Sequence, residues 1–251
     1  NLLNRFRAAM TVTLLSSAFL ALALLAQGAA TDRRIAITID DGPVVGELKD
    51  LGRFQRITSG LIGTLQAEKV PVTMFVNEAQ LNVPGQRDAR AAVLDQWLDA
   101  GFELGNHTYS HSSIFRLSKE EIASELARCA AAVAGAGCEF SEVSDGKLCR
   151  PPYGRKRPAA LRAVRAEGYV PVLWSVTCWD WSKRATADTI WRHAEKQTRG
   201  GDVILLHDGE GDHGFEIERG GSIVATERII DRYGGEGYEF VTIPELVART
   251  R

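Results

Sequence analysis

Two adjacent carboxylates and a pair of histidines are the residues of this chain best suited to chemistry. Asp40 and Asp41 stand side by side in the run Thr-Ile-Asp-Asp-Gly-Pro, and His107 and His111 are four positions apart. On one helical turn that spacing brings two imidazoles to the same face, which suits two ligands of one divalent metal. An acidic group from another strand can supply the third ligand. A zincin-type protease would need Glu directly after His107, and Thr108 stands there.

The elements that must position these residues alternate along the chain between short β-rich runs and longer helical patterns. The predicted strands are Arg34–Asp40, Val70–Val76, Phe102–Asn106, Lys147–Arg150, Tyr169–Val176, Asp202–His207 and Tyr238–Val241. The predicted helices are Phe54–Glu68, Ala89–Ala100, Ser118–Val133, Pro158–Glu167, Ala187–Thr198 and Ser222–Tyr233. This alternation predicts an α/β fold with a parallel sheet, either a closed barrel or an open doubly wound sheet.

The chemically interesting side chains coincide with the ends of these predicted strands. The acidic pair ends the first strand, His107 and His111 follow the third, and His207 ends the sixth. Parallel α/β folds place their active sites at the carboxyl ends of their strands, so we expect these groups to converge. His193 and His213 are interpreted as residues of a helix surface and an acidic loop. Ser118 with Glu121 has the spacing of a capping box at the start of the third helix.

Composition excludes several classes of protein. The 251 residues are 45% hydrophobic and 25% charged, which is typical of a globular chain rather than a disordered one. Thirty Lys and Arg residues against 32 Asp and Glu give a net charge of −2 without a basic block. We therefore expect no nucleic-acid partner. No internal repeat or linker is present, which predicts one domain over residues 31–251.

The first 30 residues differ in kind from the rest. Arg5 and Arg7 precede an apolar run over residues 12–26, and small residues follow at positions 28–30. That order is the layout of a secretory signal peptide. The run has about 15 residues, short of the roughly 20 that span a bilayer. We expect a signal peptide over residues 1–30, a secreted or periplasmic protein, and no stable membrane span after its removal.

Export changes the interpretation of the four cysteines, Cys129, Cys138, Cys149 and Cys178. In an oxidising compartment they favour disulfides, and without a C-x-x-C spacing a zinc ribbon is disfavoured. Four cysteines allow three pairings, among which the sequence does not decide. The pairing we expect is Cys149–Cys178, at the ends of consecutive predicted strands, with Cys129–Cys138 across a helix end.

Three further segments follow in order, namely Arg150–Gly154, Trp174–Trp181 and Leu205–Asp208. Together with Asp40–Pro43 and His107–His111, they resemble the ordered signatures of the polysaccharide deacetylases, carbohydrate esterase family 4. Each motif is weak by itself, and the set in this order is specific. Four motifs match fully. The fourth in chain order, Asp-x-x-Asp-Trp in the family, reads Thr-Cys-Trp-Asp-Trp here.

The resemblance covers the chain from about Ile35 to Leu246. It implies a distorted (β/α)7 barrel that hydrolyses an N-acetyl group of an amino sugar with the help of one divalent metal ion. By the family pattern Asp41, His107 and His111 would hold the metal. The metal is most often Zn²⁺, with Co²⁺, Ni²⁺ or Mn²⁺ as alternatives. The implied partner is a polysaccharide or oligosaccharide of the peptidoglycan or chitin type.

The resemblance also implies the acid–base residues. Asp40 would take a proton from the attacking water as general base, and Arg150 would hold that carboxylate by a charge-assisted hydrogen bond. The backbone N–H of Tyr153 would stabilise the oxyanion, and His207 would protonate the leaving amine.

The pocket for the acetyl methyl group would be walled by Trp181 and Leu205. Thr177 stands where the family has its first Asp, and a neutral hydroxyl cannot take a cationic partner's charge. We therefore expect Asp180 to carry more of the electrostatic load around His207.

Two other functions stay open at this point. An enzyme of the same fold that cleaves an O-acetyl ester, as in acetylated xylan, or a cyclic amide would use the same metal and base. A glycan-binding protein without turnover is favoured only by the replacement at Thr177. The sugar itself and the oligomeric state are not decided by the sequence.

Overall fold

A computed structural model describes residues 32–45, 51–77, 84–143, 146–209 and 220–248. The segment 1–30, interpreted above as a signal peptide, and His213 lie outside the described residues. No helix in the described ranges is both long and apolar enough to cross a membrane.

Nine strands lie within those ranges, and seven of them follow one another, each paired in parallel with the next. The strands are β1 Arg34–Val45, β2 Val72–Val76, β3 Glu103–Asn106, β4 Glu142–Val143, β5 Gly146–Cys149, β6 Tyr169–Pro171, β7 Val176–Thr177, β8 Val203–Gly209 and β9 Glu239–Phe240. The helices are α1 Leu51–Ala67, α2 Arg87–Asp99, α3 Lys119–Gly135, α4 Pro158–Ala166, α5 Ala187–Gln197, α6 Gly220–Gly235 and α7 Ile243–Ala248. A single 3₁₀ turn covers Pro152–Gly154.

The spatial order of the parallel strands is β6, β5, β3, β2, β1, β8 and β7. The short strand β4 pairs antiparallel with β5, and β9 pairs with the first residues of β1. Strand β1 lies between β2 and β8, and its residues Ile35, Ile37 and Ile39 are buried. The predicted α/β class with a parallel sheet is confirmed.

The segment that was predicted as one strand, Tyr169–Val176, is divided between the two ends of this sheet. Its first part, β6, pairs with β5, and its continuation, β7, pairs with β8. Pro171 lacks an N–H and ends the first part, so the prediction of one continuous strand was wrong. Because this one segment forms both end strands of the parallel set, β6 and β7, the arrangement is consistent with a distorted (β/α)7 barrel.

Two further elements escaped the sequence pattern, the strand β4 and the helix α7. Both are too short to show a period. The capping box at Ser118 is confirmed, since its hydroxyl accepts a hydrogen bond from the Glu121 amide at 3.2 Å. The Glu121 carboxylate in turn accepts the Ser118 amide at 2.7 Å.

The register of the sheet brings the carboxyl ends of its strands together. Asp40 of β1 lies opposite His207 of β8. Val76 of β2 lies opposite Asn106 of β3, which in turn pairs with Cys149 of β5. The residues that follow these strands therefore emerge at one end of the sheet, as the sequence predicted.

Both expected disulfides are absent, and all four cysteines are buried thiols. Cys129 faces the sheet and donates to the Val76 carbonyl at 3.4 Å, whereas Cys138 donates to Asp95 of α2 at 3.5 Å. Cys149 ends β5 and Cys178 follows β7, and these strands pair with different neighbours. The predicted pairings were wrong because closeness in the chain does not match closeness between these side chains.

Candidate metal centre and acid–base site

The two adjacent carboxylates reach one site because the strand that carries them is irregular at its end. Successive side chains of a regular strand point to opposite faces of the sheet. The pairing of β1 with β2 shifts between Ile39 and Gly42, and Asp41 between them has a left-handed φ of 61°. A Cβ at Gly42 would lie 2.0 Å from the Met74 sulfur, so this close approach requires glycine. Backbone strain of this kind is found at functional sites.

The first histidine of the pair has a defined tautomer. Its Nδ1 lies 2.7 Å from the Arg150 carbonyl oxygen, which can only accept, so Nδ1 carries the proton. Burial lowers the pKa of His107 to about 3, and the ring is neutral at ordinary pH. The lone pair on Nε2 is left facing the carboxylates, at 3.5 Å from Asp41 Oδ1 and 3.6 Å from Asp40 Oδ2.

The second histidine joins the same carboxylate from a loop. His111 Nε2 lies 3.4 Å from Asp41 Oδ1, and the two imidazole ring centres are 5.0 Å apart. The segment between them is not the helical turn that the spacing suggested, since Thr108 and His111 both have left-handed φ values, 68° and 55°. The prediction that a helical turn positions His107 and His111 was therefore wrong, although their rings do lie close together.

These three residues fit a metal ion. One ligand atom of each of Asp41, His107 and His111 lies within 4.8 Å of the others. Asp41 Oδ1 is buried and has no hydrogen-bond partner. It faces the unprotonated Nε2 of His107, so two acceptors meet without a proton between them. A buried arrangement of acceptors is stabilised by a cation, and two imidazoles with one carboxylate form a common set for a divalent ion.

The second carboxylate is held apart for another task. Asp40 is 2% exposed, and its Oδ1 accepts a 2.7 Å hydrogen bond from Arg150. The Arg150 guanidinium is itself fully buried, donates to Thr38 Oγ1 at 2.7 Å and lies over the Phe75 ring at 4.1 Å. Burial lowers the pKa of Arg150 while the Asp40 charge raises it, so the two groups depend on each other as a buried pair.

An imidazole with a carboxylate behind it lies on the other side of the site. His207 Nδ1 is 2.9 Å from Asp180 Oδ1, and the His207 amide donates to Asp180 Oδ2 at 2.7 Å. Asp180 is fully buried, and Ser222 adds a third donor at 3.5 Å. Burial lowers the pKa of His207, but the charge and hydrogen bond of Asp180, together with the charges of Asp41 and Asp40, outweigh it, and the pKa is raised. His207 Nε2 is directed towards Asp41 Oδ2, 4.0 Å away.

Two of the residues proposed for the oxyanion and the acetyl pocket pack against histidines of this centre, and the third lies on the neighbouring strand. Tyr153 has a left-handed φ of 59° in the 3₁₀ turn, and its ring lies 4.6 Å from that of His111. Trp181 meets the His207 ring edge-on at 4.9 Å. Leu205, on β8 opposite Thr38, is 1% exposed.

Thr177, at the altered motif position, is hydrogen-bonded to a neighbouring tryptophan. The Thr177 hydroxyl accepts a 2.9 Å hydrogen bond from the Trp174 indole. The Trp174 ring lies 5.7 Å from the Arg150 guanidinium, and a Cβ at Gly154 would approach it to 2.7 Å. Thr177 therefore anchors a side chain that packs behind the Arg150–Gly154 motif.

Sequence reasoning missed Thr38, Trp174 and Ser222, which support the site from behind. Thr38 had a signal, since it stands two residues before Asp40 and therefore shares its face of the strand. Trp174 opens the motif segment Trp174–Trp181, but nothing in that segment predicted its role, and Ser222 had no signal, because both reach the site through packing between distant segments.

A family model described as polysaccharide deacetylase matches residues 27–172. The chain is 30% identical over 223 residues to a peptidoglycan-N-acetylglucosamine deacetylase of Bacillus cereus, with 86% of this chain and 89% of that protein covered. It is 27% identical to the peptidoglycan-N-acetylglucosamine deacetylase PgdA of Listeria monocytogenes, of which it spans only 40% while 87% of this chain is covered.

A solved structure agrees with these relatives. The family 4 carbohydrate esterase from Streptomyces lividans, in complex with acetate, superposes with a TM-score of 0.62 at 28% identity. The superposition covers 81% of this chain and 89% of that one.

Proposed function

The chain belongs to the polysaccharide deacetylase family, and from that premise we propose that it removes N-acetyl groups from N-acetylglucosamine residues of peptidoglycan and releases acetate. The observation that carries the proposal is the opposed pair of proton carriers around one metal-binding triad. Asp40, held by Arg150, lies 3.6 Å from His107 Nε2, and His207, held by Asp180, lies 4.0 Å from Asp41. The names of the Bacillus and Listeria relatives support peptidoglycan as the glycan.

The metal-binding triad supplies the electrophile. Asp41, His107 and His111 would hold a divalent ion, and the chemistry of such an ion is to polarise a carbonyl and to acidify water. We propose Zn²⁺, because a neutral imidazole pair with one carboxylate is a ligand set that zinc prefers. The Nδ1–H bond from His107 to the Arg150 carbonyl fixes the ring that donates Nε2.

The protein's own groups move the protons. Asp40 takes a proton from the attacking water, and the Arg150 hydrogen bond keeps its second oxygen aimed into the site. His207 gives a proton to the leaving nitrogen through Nε2, because its Nδ1 is held by Asp180. The left-handed turn at Tyr153 presents its backbone N–H to the site, and this N–H stabilises the oxyanion. Trp181 and Leu205 exclude water around the acetyl methyl group.

We further propose that the protein works outside the cytoplasm, after removal of residues 1–30. The basic, apolar and small-residue order of that segment supports export. A peptidoglycan substrate lies in the same location.

Acetate release tests the function. The purified protein is freed of metal with a chelator, supplied again with Zn²⁺, and offered peptidoglycan, N-acetylchitooligosaccharides and acetylated xylan. We expect acetate from the N-acetylated glycans and no release before metal is restored. Asp40→Asn should lower turnover by about 10²–10⁴-fold with metal still bound, since that is the usual contribution of a general base. The matched control is Asp188→Asn, an exposed carboxylate on α5 that should change nothing.

Two outcomes would overturn the proposal. Release of acetate from xylan without release from any amino sugar would assign the site to O-acetyl esters. Binding of glycans without turnover at any metal concentration would make the protein a glycan-binding one.

A further inference from the structure

A tryptophan at the edge of the site is turned outwards at a cost to the backbone. Trp179 has a φ of 56°, in the left-handed region that bulky residues avoid, and half of the residue is exposed. Its neighbours Cys178 and Asp180 are both fully buried. The chain therefore directs its inward positions to the core and to His207, and presents a large apolar ring to water between them. The exposed half of the ring gains nothing from packing, and the left-handed backbone disfavours so bulky a residue.

The exposed ring of Trp179 is the outermost of a row of aromatic groups that begins at His207, the proposed general acid. Trp181 packs edge-on against His207 at 4.9 Å, and Trp179 packs against Trp181 at 5.1 Å with the ring planes 43° apart. Trp179 is thus one ring further out from the reacting centre than the wall of the acetyl pocket. A hydrogen bond of 3.1 Å from the Ser182 amide to the Trp179 carbonyl closes the turn that holds it there.

A second half-exposed aromatic ring lies on the other side of the metal triad. Tyr153 is also left-handed at φ 59° and also 50% exposed, and it packs against His111. Of the exposed large apolar residues in the described ranges, these two are the aromatic ones with a strained backbone. Strained, exposed aromatic groups on both sides of one site indicate a binding role.

We propose that Trp179 is a platform for the sugar ring next to the one that carries the reacting acetyl group, and that it makes the enzyme select chains over single sugars. This inference rests on the proposed function. A pyranose presents C–H groups on its faces, and these pack against the electron-rich face of an indole. The acetyl group enters beside Trp181, so the adjoining sugar of the chain extends over the next ring outwards.

The test separates the ring from the turn. Trp179→Asn removes the ring and keeps the turn, because asparagine tolerates a left-handed backbone better than tryptophan does. We expect KM for N-acetylchitotetraose and N-acetylchitohexaose to rise about three- to tenfold, the loss of one aromatic contact, with kcat unchanged. KM for monomeric N-acetylglucosamine and for p-nitrophenyl acetate should stay as in the wild type. Trp179→Phe, which keeps an aromatic face, should recover part of the loss.

The control is Val247→Ala, which trims an exposed apolar side chain of α7 at the opposite end of β1. It should alter none of these parameters. The melting temperature of Trp179→Asn should equal or exceed that of the wild type, since the substitution relieves backbone strain. A fall in activity by the same factor on monomer and hexamer, or an unchanged KM for the hexamer, would overturn the inference.

Failure of the proposed function gives a different result. If the wild type releases no acetate from any amino sugar, binding of N-acetylchitohexaose is followed by quenching of tryptophan fluorescence. Weaker binding by Trp179→Asn than by the wild type would then still support the platform. Equal binding, or none by either protein, would contradict it.

Discussion

At the scale of single residues, the contact between Asp41 and His107 is the one most in need of a cation. Asp41 Oδ1 meets an imidazole Nε2 at 3.5 Å, and the hydrogen bond at Nδ1 leaves no proton on that nitrogen. The same carboxylate oxygen has no hydrogen-bond partner. The site is therefore arranged for a metal ion before one arrives, which is the condition for tight binding.

His107→Ala should abolish stoichiometric metal binding, because it removes one of three ligands and leaves the two others on a strand end and a loop. The metal content of the dialysed protein measures this directly. The matched control is His193→Ala, an exposed histidine of α5, which should retain its metal. Retention of one equivalent of metal by the His107 variant would contradict the assigned triad.

The pair of Asp180 and His207 controls a second property, the alkaline limit of activity. Burial lowers the pKa of His207, and among the groups that raise it the charge and hydrogen bond of Asp180 contribute most, ahead of Asp41 and Asp40. Asp180→Asn removes the charge, so the pKa falls and the acid form is lost at lower pH. The alkaline limb of the kcat profile should shift downwards, while the acid limb stays in place.

The comparison for this shift is Asp188→Asn, which removes an exposed carboxylate that forms an ion pair with Arg228. Its profile should coincide with that of the wild type. An alkaline limb that does not move in Asp180→Asn would mean that another residue supplies the proton.

At the scale of elements, the periodicity of the sequence predicted most of the strands and helices, but it predicted little of the loops and turns. The positions of β1, β2, β3 and β8 were predicted to within five residues, because each is a short, mostly buried segment next to a helical pattern of period 3.6. The turn at Asp41 and the loop from His107 to His111 were not, since their left-handed residues are not glycines. Those conformations are imposed by packing around the site, which a local pattern does not contain.

The same contrast applies to the cysteines and to the split strand. Cys129 and Cys138 flank a helix end, yet the turn of the helix sends them to different neighbours. The strand predicted over Tyr169–Val176 is one apolar run, but its two halves pair with strands at opposite ends of the sheet. Pairing partners depend on sheet closure, a property of the whole fold.

The cap of α3 offers a test at this scale. Ser118→Ala removes the side-chain acceptor for the Glu121 amide, and should lower the free energy of unfolding by about 0.5–2 kcal/mol. Urea unfolding followed by circular dichroism measures it. Ser118→Asp restores an acceptor and should recover most of the loss. No destabilisation in Ser118→Ala would show that α3 is held by its buried face alone.

At the scale of the whole molecule, the distribution of charge around the site differs from the chain's average. The net charge is −2, yet Arg155, Lys156 and Arg157 follow directly after the turn that carries Tyr153. They precede α4, whose first turn contains no acidic residue. Positive charges at a helix N-terminus oppose the helix dipole, so helix stability does not account for them. Arg155 and Lys156 are exposed beside the proposed oxyanion turn.

Arg155 and Lys156, which we call the basic rim, should favour an anionic glycan over a neutral one. Peptidoglycan carries carboxylates on its peptides, whereas chitin chains carry none, so attraction by the rim acts on the first substrate alone. The double variant Arg155→Glu/Lys156→Glu should lower kcat/KM on peptidoglycan fragments about three- to tenfold at low salt and leave N-acetylchitooligosaccharides unaffected. Because exposed charges are screened, the difference should shrink as the ionic strength is raised.

The matched control is Arg162→Glu/Arg165→Glu, which makes the same change in net charge on exposed positions further along α4. It should lower kcat/KM less, since the attraction falls with distance from the site. Equal losses in both double variants would mean that net charge, rather than the rim, governs the encounter. Equal losses on the charged and neutral glycans would mean that Arg155 and Lys156 act through the Tyr153 turn, and peptidoglycan would then lose this electrostatic support as the preferred substrate.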